Sequence, residues 1–408
     1  MTDLDLFAVL DRATDGIDPA ASPQHAAVTA LARARVVRNR RRGLVAGAVA
    51  AVLVLVVAVA TGVAGTDRTE PPVMPTPTVP AVPDSAVQAT WDPRAAGDLP
   101  QRASVLPTEI APRSGTTRPL PLTGAARLVL ADEQERLHLL GEDGTWASTE
   151  APSGSAYVSS LSDDGTMLAN AGNDELWVTD VRDGSWRQLD LPPGPAFMWT
   201  GLDVTLTWRD DTQLLLRNGG GMLGIVDLDG AEPAEADTHD TAQVTGVAMV
   251  PDGTELLFGT GLEGQVIREV EDGGSTRTFV ASALGRFRSP LASDTRVAGL
   301  VSGIPRDDRP TDHAGVLVLD RTGYAAEAYL PIAGTRYTPG VGIVEISANG
   351  VRPMAWLDDH TLLLDDSRAL GRPWSLVAWD VETGELSLVS SGGSGTWLRA
   401  VAGDLVRD

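Results

Sequence analysis

Five times along the chain a short Asp/Ser-x-Thr step is followed by apolar residues, and this repeat limits the fold more than any other feature. The copies are Asp164-Gly165-Thr166, Asp210-Asp211-Thr212, Asp252-Gly253-Thr254, Asp359-His360-Thr361 and the imperfect Ser293-Asp294-Thr295. Met167-Leu168, Leu214-Leu215, Leu256-Leu257, Leu362-Leu363 and Val297-Ala298 follow them. The five Thr stand 46, 42, 41 and 66 residues apart, a spacing that belongs to a repeat architecture. Asp and Gly supply tight-turn chemistry, so each copy predicts a hairpin between two strands.

A second unit lies ten to twenty residues beyond each copy, where a strand ends near Asp, a short turn reaches Gly and another strand follows. "ELWVTDVRDGSWRQL", "GVLVLDRTGYAAEAYL" and "SLVAWDVETGELSLV" are examples, and Gly144, Gly184, Gly230, Gly273, Gly323 and Gly384 mark six such turns. Two hairpins per period make four strands, which is one propeller blade. The N-terminal "RLHLLGEDGTWAST" carries only the second hairpin and the C-terminal "TWLRAVAGDLVRD" only the first. Joined in space they complete a sixth blade and leave no sheet edge open. The expectation is an all-β, six-bladed β-propeller over residues 124–408. Seven blades is the alternative count if the 66-residue interval hides a degenerate blade. Loop insertions around "GIPRDDRPTDH" and "PIAGTRYTPGVG" account for that interval more simply.

At "MVPDGTELLFGT" and "LSDDGTMLANAG" the repeat resembles the WD40-like repeats of TolB-type propellers. It departs from true WD40 repeats, whose Gly-His and Trp-Asp signature survives only at Trp379-Asp380. The resemblance implies a binding or scaffold surface, and fold alone assigns no activity.

Upstream, Leu44 to Ala64 is 21 residues without a charge, "LVAGAVAAVLVLVVAVATGVA". At ~1.5 Å per residue a helix of that length matches the ~30 Å hydrocarbon core of a bilayer. Arg38, Arg40, Arg41 and Arg42 precede it, whereas Asp67 and Glu70 follow it. This asymmetry predicts a single transmembrane α-helix with a cytoplasmic N-terminus and an exported C-terminal domain. A cleavable signal peptide is the rival, with Ala58, Ala60 and Ala64 as small residues for a peptidase, but leader and apolar run are both long for one. Residues 65–90 include Pro71, Pro72, Pro75, Pro77, Pro80 and Pro83 and are expected to form a semi-rigid spacer. Residues 91–123, with Trp91, Leu99, Val105, Leu106 and Ile110, are expected to form an extended arm packed on the propeller.

The leader, residues 1–43, holds the apolar group Leu4, Leu6, Phe7, Val9 and Leu10, compatible with a short amphipathic helix, and a second helix from His25 into the Arg cluster. Two such helices bury too little surface to fold alone. Its arginines fix topology, or Phe7 and its neighbours dock into a cytoplasmic partner. The "LDLFAVLDRATDG" start and the Arg run before the span resemble leaders of actinobacterial membrane proteins, some membrane-bound anti-sigma factors among them. That resemblance covers about 65 residues and lacks the His/Cys zinc motif of one anti-sigma class.

Charge narrows the partners. Net charge is −23; residues 1–43 carry seven Arg and five Asp, which leaves −25 on the remaining 365 residues. So acidic a domain repels phosphate backbones, which argues against nucleic-acid binding. The chain has no Cys, so disulfides, thiolate metal sites and Cys nucleophiles are excluded.

Candidate motifs yield no catalytic, metal or cofactor residues. Gly219, Gly221 and Gly224, and Gly259, Gly261 and Gly264, match a dinucleotide fingerprint, but strand and turn follow them where the mechanism needs a helix. Paired carboxylates at Asp163-Asp164, Asp210-Asp211, Asp307-Asp308, Asp358-Asp359 and Asp365-Asp366 are read as turn residues rather than Ca²⁺ ligands. Asp227-x-Asp229-Gly230 is too short for an EF-hand loop. Two carboxylates also serve glycosidase chemistry, but the pattern selects no pair. His138, His239, His313 and His360 show no metal-ligand spacing. Trp177, Trp186, Trp208, Trp356 and Trp379 are expected to pack between blades, and Trp199, beside Phe197 and Met198, covers a core edge or anchors a partner.

Three readings of function follow. The first is a membrane-anchored, extracytoplasmic propeller acting as a binding module for an unknown protein or small ligand, with the lipid bilayer engaged through residues 44–64. The second is a transmembrane regulator whose leader binds a cytoplasmic factor. The third is a propeller-based hydrolase.

Overall fold

The computed structural model describes residues 78–407 except 113–116, 155–157, 173, 193–203, 231–232, 236–242, 262–263, 272–275, 282–286, 302–313, 334–350 and 367–372. The leader, the apolar segment 44–64 and the spacer up to residue 77 lie outside these residues. No helix among the described residues is long and apolar enough to cross a membrane.

The domain is a six-bladed β-propeller. Blade 2 is Val158–Leu161, Met167–Gly172, Glu175–Asp180 and Arg187–Leu189. Blade 3 is Thr205–Trp208, Gln213–Arg217, Leu223–Asp227 and Ala234–Glu235, and blade 4 is Gln243–Met249, Glu255–Gly261, Gly264–Val270 and Thr276–Val280. Blade 5 is Phe287–Ala292, Arg296–Val301, Gly315–Asp320 and Ala326–Pro331, and blade 6 is Arg352–Trp356, Thr361–Asp365, Trp374–Asp380 and Leu386–Gly392. In each, the strands follow chain order from axis to rim. The first strands touch one another in a closed cycle, which makes the ring.

Blade 1 closes that ring with strands from both ends of the domain. Thr396–Val401 pairs antiparallel with Ala126–Asp132, which continues to Arg136–Gly141 and Trp146–Glu150. The division is three strands and one, not a hairpin from each end. Ala126–Asp132 is nearly all buried and no turn motif announces it, so its membership shows only in tertiary context. The six-blade count holds.

Each gap between blades is filled by a separate apolar cluster. Leu128, Leu130 and Leu140 of blade 1 meet Leu363, Trp374 and Leu376 of blade 6. On the other face of the same sheet, Val129, Ala131, Leu137 and Leu139 meet Leu161 and Leu168 of blade 2. Strand alternation therefore gives each blade two apolar faces, as a sheet buried on both sides requires. At roughly 1.5–3 kcal/mol per buried aliphatic side chain, these interfaces are the main stabilising term. Trp208, Trp356 and Trp379 pack in such gaps, and Trp186 lies against the cluster between blades 1 and 2.

The repeat motifs occupy turns. Asp164, Asp210 and Asp252 accept the N–H of Thr166, Thr212 and Thr254 at 3.0, 2.7 and 2.8 Å. In blade 6 that role falls to Asp358, which accepts the N–H of His360 at 2.9 Å, so the repeat unit there starts one residue before Asp359. In the outer hairpins Gly144, Gly184, Gly230 and Gly384 have φ between 75° and 94°, the left-handed region that favours glycine. Blade 5 departs from this: Gly323 is not the left-handed residue, and Tyr324 takes that conformation with φ 57°. Gly273 lies outside the described residues.

The chain before blade 1 forms a belt around the rim. Thr78 bridges Val280 of blade 4, Val87 and Trp91 bridge Tyr329 and Ile332 of blade 5, and Gln101 bridges Leu388 of blade 6, all parallel. Glu109–Ile110 then adds a fifth strand to blade 6, and Arg118–Pro119 adds one to blade 1. The Leu122 N–H finally reaches the carbonyl of Val181 in blade 2. Between these contacts the belt drops apolar side chains into successive gaps: Val79, then Trp91 and Ala96, then Leu106 and Ile110, then Leu122. Leu99 packs alongside, whereas Val105 is exposed. Residues 78–90, which composition assigns to the spacer, already lie on blades 4 and 5, because Val79 and Ala86 are buried there.

Candidate functional site

The six inner strands surround the axis of the ring. Their sequences are TWLRAV, VSSL, TLTW, QVTGVAM, FRSPLA and RPMAW. They contain Arg399, Arg288 and Arg352 and not one carboxylate, in a domain whose surplus of acids is large. These arginines belong to three consecutive blades, 1, 5 and 6, and each is half-buried. Blades 2, 3 and 4 instead present Ser159, Ser160, Thr205, Thr207, Gln243 and Thr245 on the same strands.

Local irregularity sets these side chains. The inner strand slips register between Val244 and Gly246, Arg288 and Leu291, Pro353 and Ala355, and Leu398 and Ala400. Such bulges bend the strand and re-aim the extra residue, here Thr245, Ser289 with Pro290, Met354 and Arg399. Arg399 lies over the Trp397 ring, 5.1 Å from its centroid. Arg352 donates through Nε to Asp365 Oδ2 at 2.9 Å and through its terminal nitrogen to the Leu398 carbonyl at 2.6 Å, tying blade 6 to blade 1. Asp365 and Asp366 are the acids behind this corner, both essentially without solvent exposure, and Asp366 accepts the N–H of Ser375 at 2.5 Å. Asp365 ends a strand and holds Arg352, while Asp366 stands at the start of the connection to Trp374–Asp380 and is bonded to Ser375 across it.

A second concavity lies on blade 1, on the side of blade 6. A cleft of about 550 Å³ is lined by Asp132, Gln134, Arg136, His138, Ser148 and Thr396, with Pro112 and Thr117 of the belt at its edge. Asp132 Oδ2 stands 2.8 Å from His138 Nε2. Burial pushes the Asp132 carboxyl up, but the imidazole and the N–H groups of Arg136 and Gln134 together hold it below the usual carboxylate range. The ionised carboxylate fixes the proton on Nε2, and the buried Nδ1 makes no hydrogen bond among the described residues. Ser148 is the cross-strand partner of His138. The Asp132–His138 spacing of six residues carried no recognisable motif, so this pair was invisible in the sequence.

The other candidates have structural positions. Gly219 and Gly221 lie in the hairpin between the second and third strands of blade 3, and Gly224 lies in the third strand. Gly259 and Gly261 sit in one strand of blade 4 and Gly264 opens the next. No helix follows either set, as expected. Asp227 caps its own turn by accepting the Asp229 N–H at 2.7 Å. Asp163, beside Asp164, is exposed at the surface near Asp404 and Asp211, and desolvation by the surrounding chain with these like charges raises its pKa. No group of three His, Asp or Glu among the described residues is placed to hold a metal ion. His360 sits in an exposed turn 3.7 Å from Asp358. His239, His313, Phe197, Met198, Trp199 and Asp307-Asp308 lie outside the described residues.

No protein-family model matches the chain, and no curated protein matches it. Among solved structures, the C-terminal WD40 domain of Sif2 aligns over 65% of this chain and 68% of its own, at 13% identity and TM-score 0.37. Hydrazine synthase of Kuenenia stuttgartiensis aligns over 65% and 80%, at 12% identity and TM-score 0.36. A streptogramin B lyase aligns over 57% and 70%, at 14% identity and TM-score 0.37. Likeness at this level bears on neither ligand nor activity, and the propeller architecture rests on the closed ring of sheets itself.

Proposed function

We propose that this chain is a single-pass membrane protein whose propeller stands outside the cytoplasm and acts as a binding module. The use of its acids supports the binding role. In the repeat hairpins the conspicuous carboxylates, Asp164, Asp210, Asp252, Asp358, Asp320 and Asp380, accept N–H groups of their own turns. Their chemistry goes into holding a rigid ring, which leaves the axis and the rim cleft as the places where a partner can be received. Membrane attachment is supported by the 21 uncharged residues from Leu44 and by the arginines before them.

The absence of Cys makes the topology testable without background. Ser185, exposed in a turn of blade 2, is replaced in Ser185→Cys, and a leader position in Ala20→Cys. A membrane-impermeant maleimide is expected to label the first in intact cells from which any outer barrier has been removed, and the second only after lysis. Labelling of Ser185→Cys that requires lysis would overturn the proposed topology.

A further inference from the structure

We propose that the cleft on blade 1 is a site for a neutral saccharide, a ligand whose hydroxyls both donate and accept hydrogen bonds. This deepens the binding-module reading and rests on it. Strand register builds the cleft. Thr396 is the cross-strand partner of Asp132, while His138 is the partner of Leu130 on one side and of Ser148 on the other. Leu130 and Asp132 are two residues apart on one strand, so all of these side chains stand on one face of the sheet. It is the face that packs Leu128, Leu130 and Leu140 against blade 6, and beyond that apolar cluster it opens into the cleft of about 550 Å³. That volume lies within the roughly 300–1,000 Å³ of small-molecule sites.

The lining selects the ligand. Pro112 is the one hydrocarbon side chain among the described residues around the cleft, enough for the C–H groups of a sugar ring and too little for a larger apolar molecule. The fixed charges are already matched. Asp132 accepts from His138 Nε2 at 2.8 Å and from the N–H groups of Gln134 and Arg136 at 2.9 and 3.0 Å, and Arg136 meets Glu150 at 3.3 Å. A ligand with a net charge would compete with one of these pairs, whereas a neutral one leaves both intact. What remains is the Gln134 amide and the Ser148 hydroxyl, which have no side-chain hydrogen-bond partner among the described residues, and the Thr396 hydroxyl, whose two bonds are long at 3.4 and 3.5 Å. Each of these groups donates and accepts at once, and so does a sugar hydroxyl. A carboxylate only accepts and an ammonium only donates, so either would leave half of the set unused. Asp132, His138, Ser148 and Thr396 sit on paired strands, so little freedom is lost when a ligand engages them.

The test is saturation-transfer NMR on the full chain in a zwitterionic detergent, which brings no sugar headgroup of its own. The probes are glucose, galactose, mannose, N-acetylglucosamine and maltose, with acetate and ethylammonium as charged controls. Saturable transfer is expected for at least one sugar and for neither control. Ser148→Ala and Gln134→Ala should each weaken sugar binding by roughly 2- to 10-fold, as loss of one hydrogen bond does, and the double variant by more. Arg182→Gln, in an exposed turn of blade 2, should change nothing. If Ser148→Ala fails to fold by circular dichroism, Gln134→Ala, in an exposed turn, decides alone. No saturable transfer to any sugar, or sugar binding undiminished in the folded variants, would overturn the proposal. Binding of acetate or ethylammonium in place of a sugar, lost in the same variants, would overturn the saccharide assignment and leave the binding-module reading standing. None of these outcomes depends on which side of a membrane the domain occupies, so the topology experiment can fail or succeed separately.

Discussion

Removing one oxygen, in Tyr324→Phe, tests whether the ring depends on polar contacts across its gaps as well as apolar ones. Tyr324 belongs to the outer turn of blade 5, has no solvent exposure, and donates its hydroxyl to Glu269 Oε1 of blade 4 at 2.6 Å. Glu269 is itself 1% exposed, and Arg277 pairs with its other oxygen. Phe279 meets the Tyr324 ring edge-on at 4.9 Å, a contact that Phe would keep. The change therefore isolates one hydrogen bond to a buried charge, worth about 1.5–3 kcal/mol. For a domain of this size each kcal/mol moves the melting temperature by roughly 2 °C, so a fall of about 3–6 °C is expected by scanning calorimetry.

The pH dependence of the same pair provides a second reading. Burial first, and then the bond to Glu269, raise the Tyr324 pKa well above its ordinary value of 10.0. Below that value the phenol is neutral in both folded and unfolded chains. Above it, the unfolded chain ionises and the folded chain does not, which favours unfolding. The advantage of Tyr over Phe should thus be full at neutral pH and shrink as pH rises past about 10. Equal melting temperatures for the two proteins at pH 7, with no divergence at alkaline pH, would refute the latch. Tyr324→Gly supplies the contrast: it relieves a left-handed backbone by about 1 kcal/mol but empties a buried aromatic site worth 3–5 kcal/mol, and should be the worse variant by calorimetry.

Two further outcomes are expected. Trp91→Ala removes the buried anchor that holds the belt between blades 5 and 6, so limited proteolysis should cut within residues 78–110 while the ring stays folded by circular dichroism. Asp163→Asn should stabilise the domain slightly at pH 7, because desolvation and the nearby carboxylates of Asp404, Asp164 and Asp211 disfavour its charge, an effect that solvent screens at this exposed position; the gain should fade as pH falls below the ordinary carboxylate pKa, and thermal melts between pH 3 and 8 would show it.

What could be read in the sequence was whatever is local. Asp164-Gly165-Thr166 states its own turn within three residues, because the carboxylate and the N–H it accepts are neighbours. Five such neighbourhoods and six Gly turns gave the blade count. Closure was legible in outline only: Thr396–Val401 was assigned to the missing blade, but the three-strand contribution of 126–150 was hidden because Ala126–Asp132 has no turn motif before it. The left-handed conformation of Tyr324 was not legible for a related reason, since the blade-5 turn places its left-handed residue one position after Gly323. The belt was expected over residues 91–123 only; its earlier part left no local trace, as Gln88 pairs with Trp379 across 291 residues. The arginines of the inner strands were equally hidden as a set, because Arg288, Arg352 and Arg399 fall on consecutive blades only once the ring is closed.

The belt has a bearing on how copies of this protein behave when crowded. A sheet's last strand normally offers a row of free amide donors to any passing extended chain, and such edges seed aggregation. Around blades 4, 5, 6 and 1 that outermost position is taken by a segment containing Pro80, Pro83, Pro93, Pro100, Pro107, Pro112, Pro119 and Pro121. Proline has no amide hydrogen, so a further strand laid against this perimeter would find its donors repeatedly missing. Two thirds of the circumference is thereby made unreceptive to strand-by-strand growth, and any edge-to-edge association between copies is steered toward Arg187–Leu189 of blade 2 and Ala234–Glu235 of blade 3.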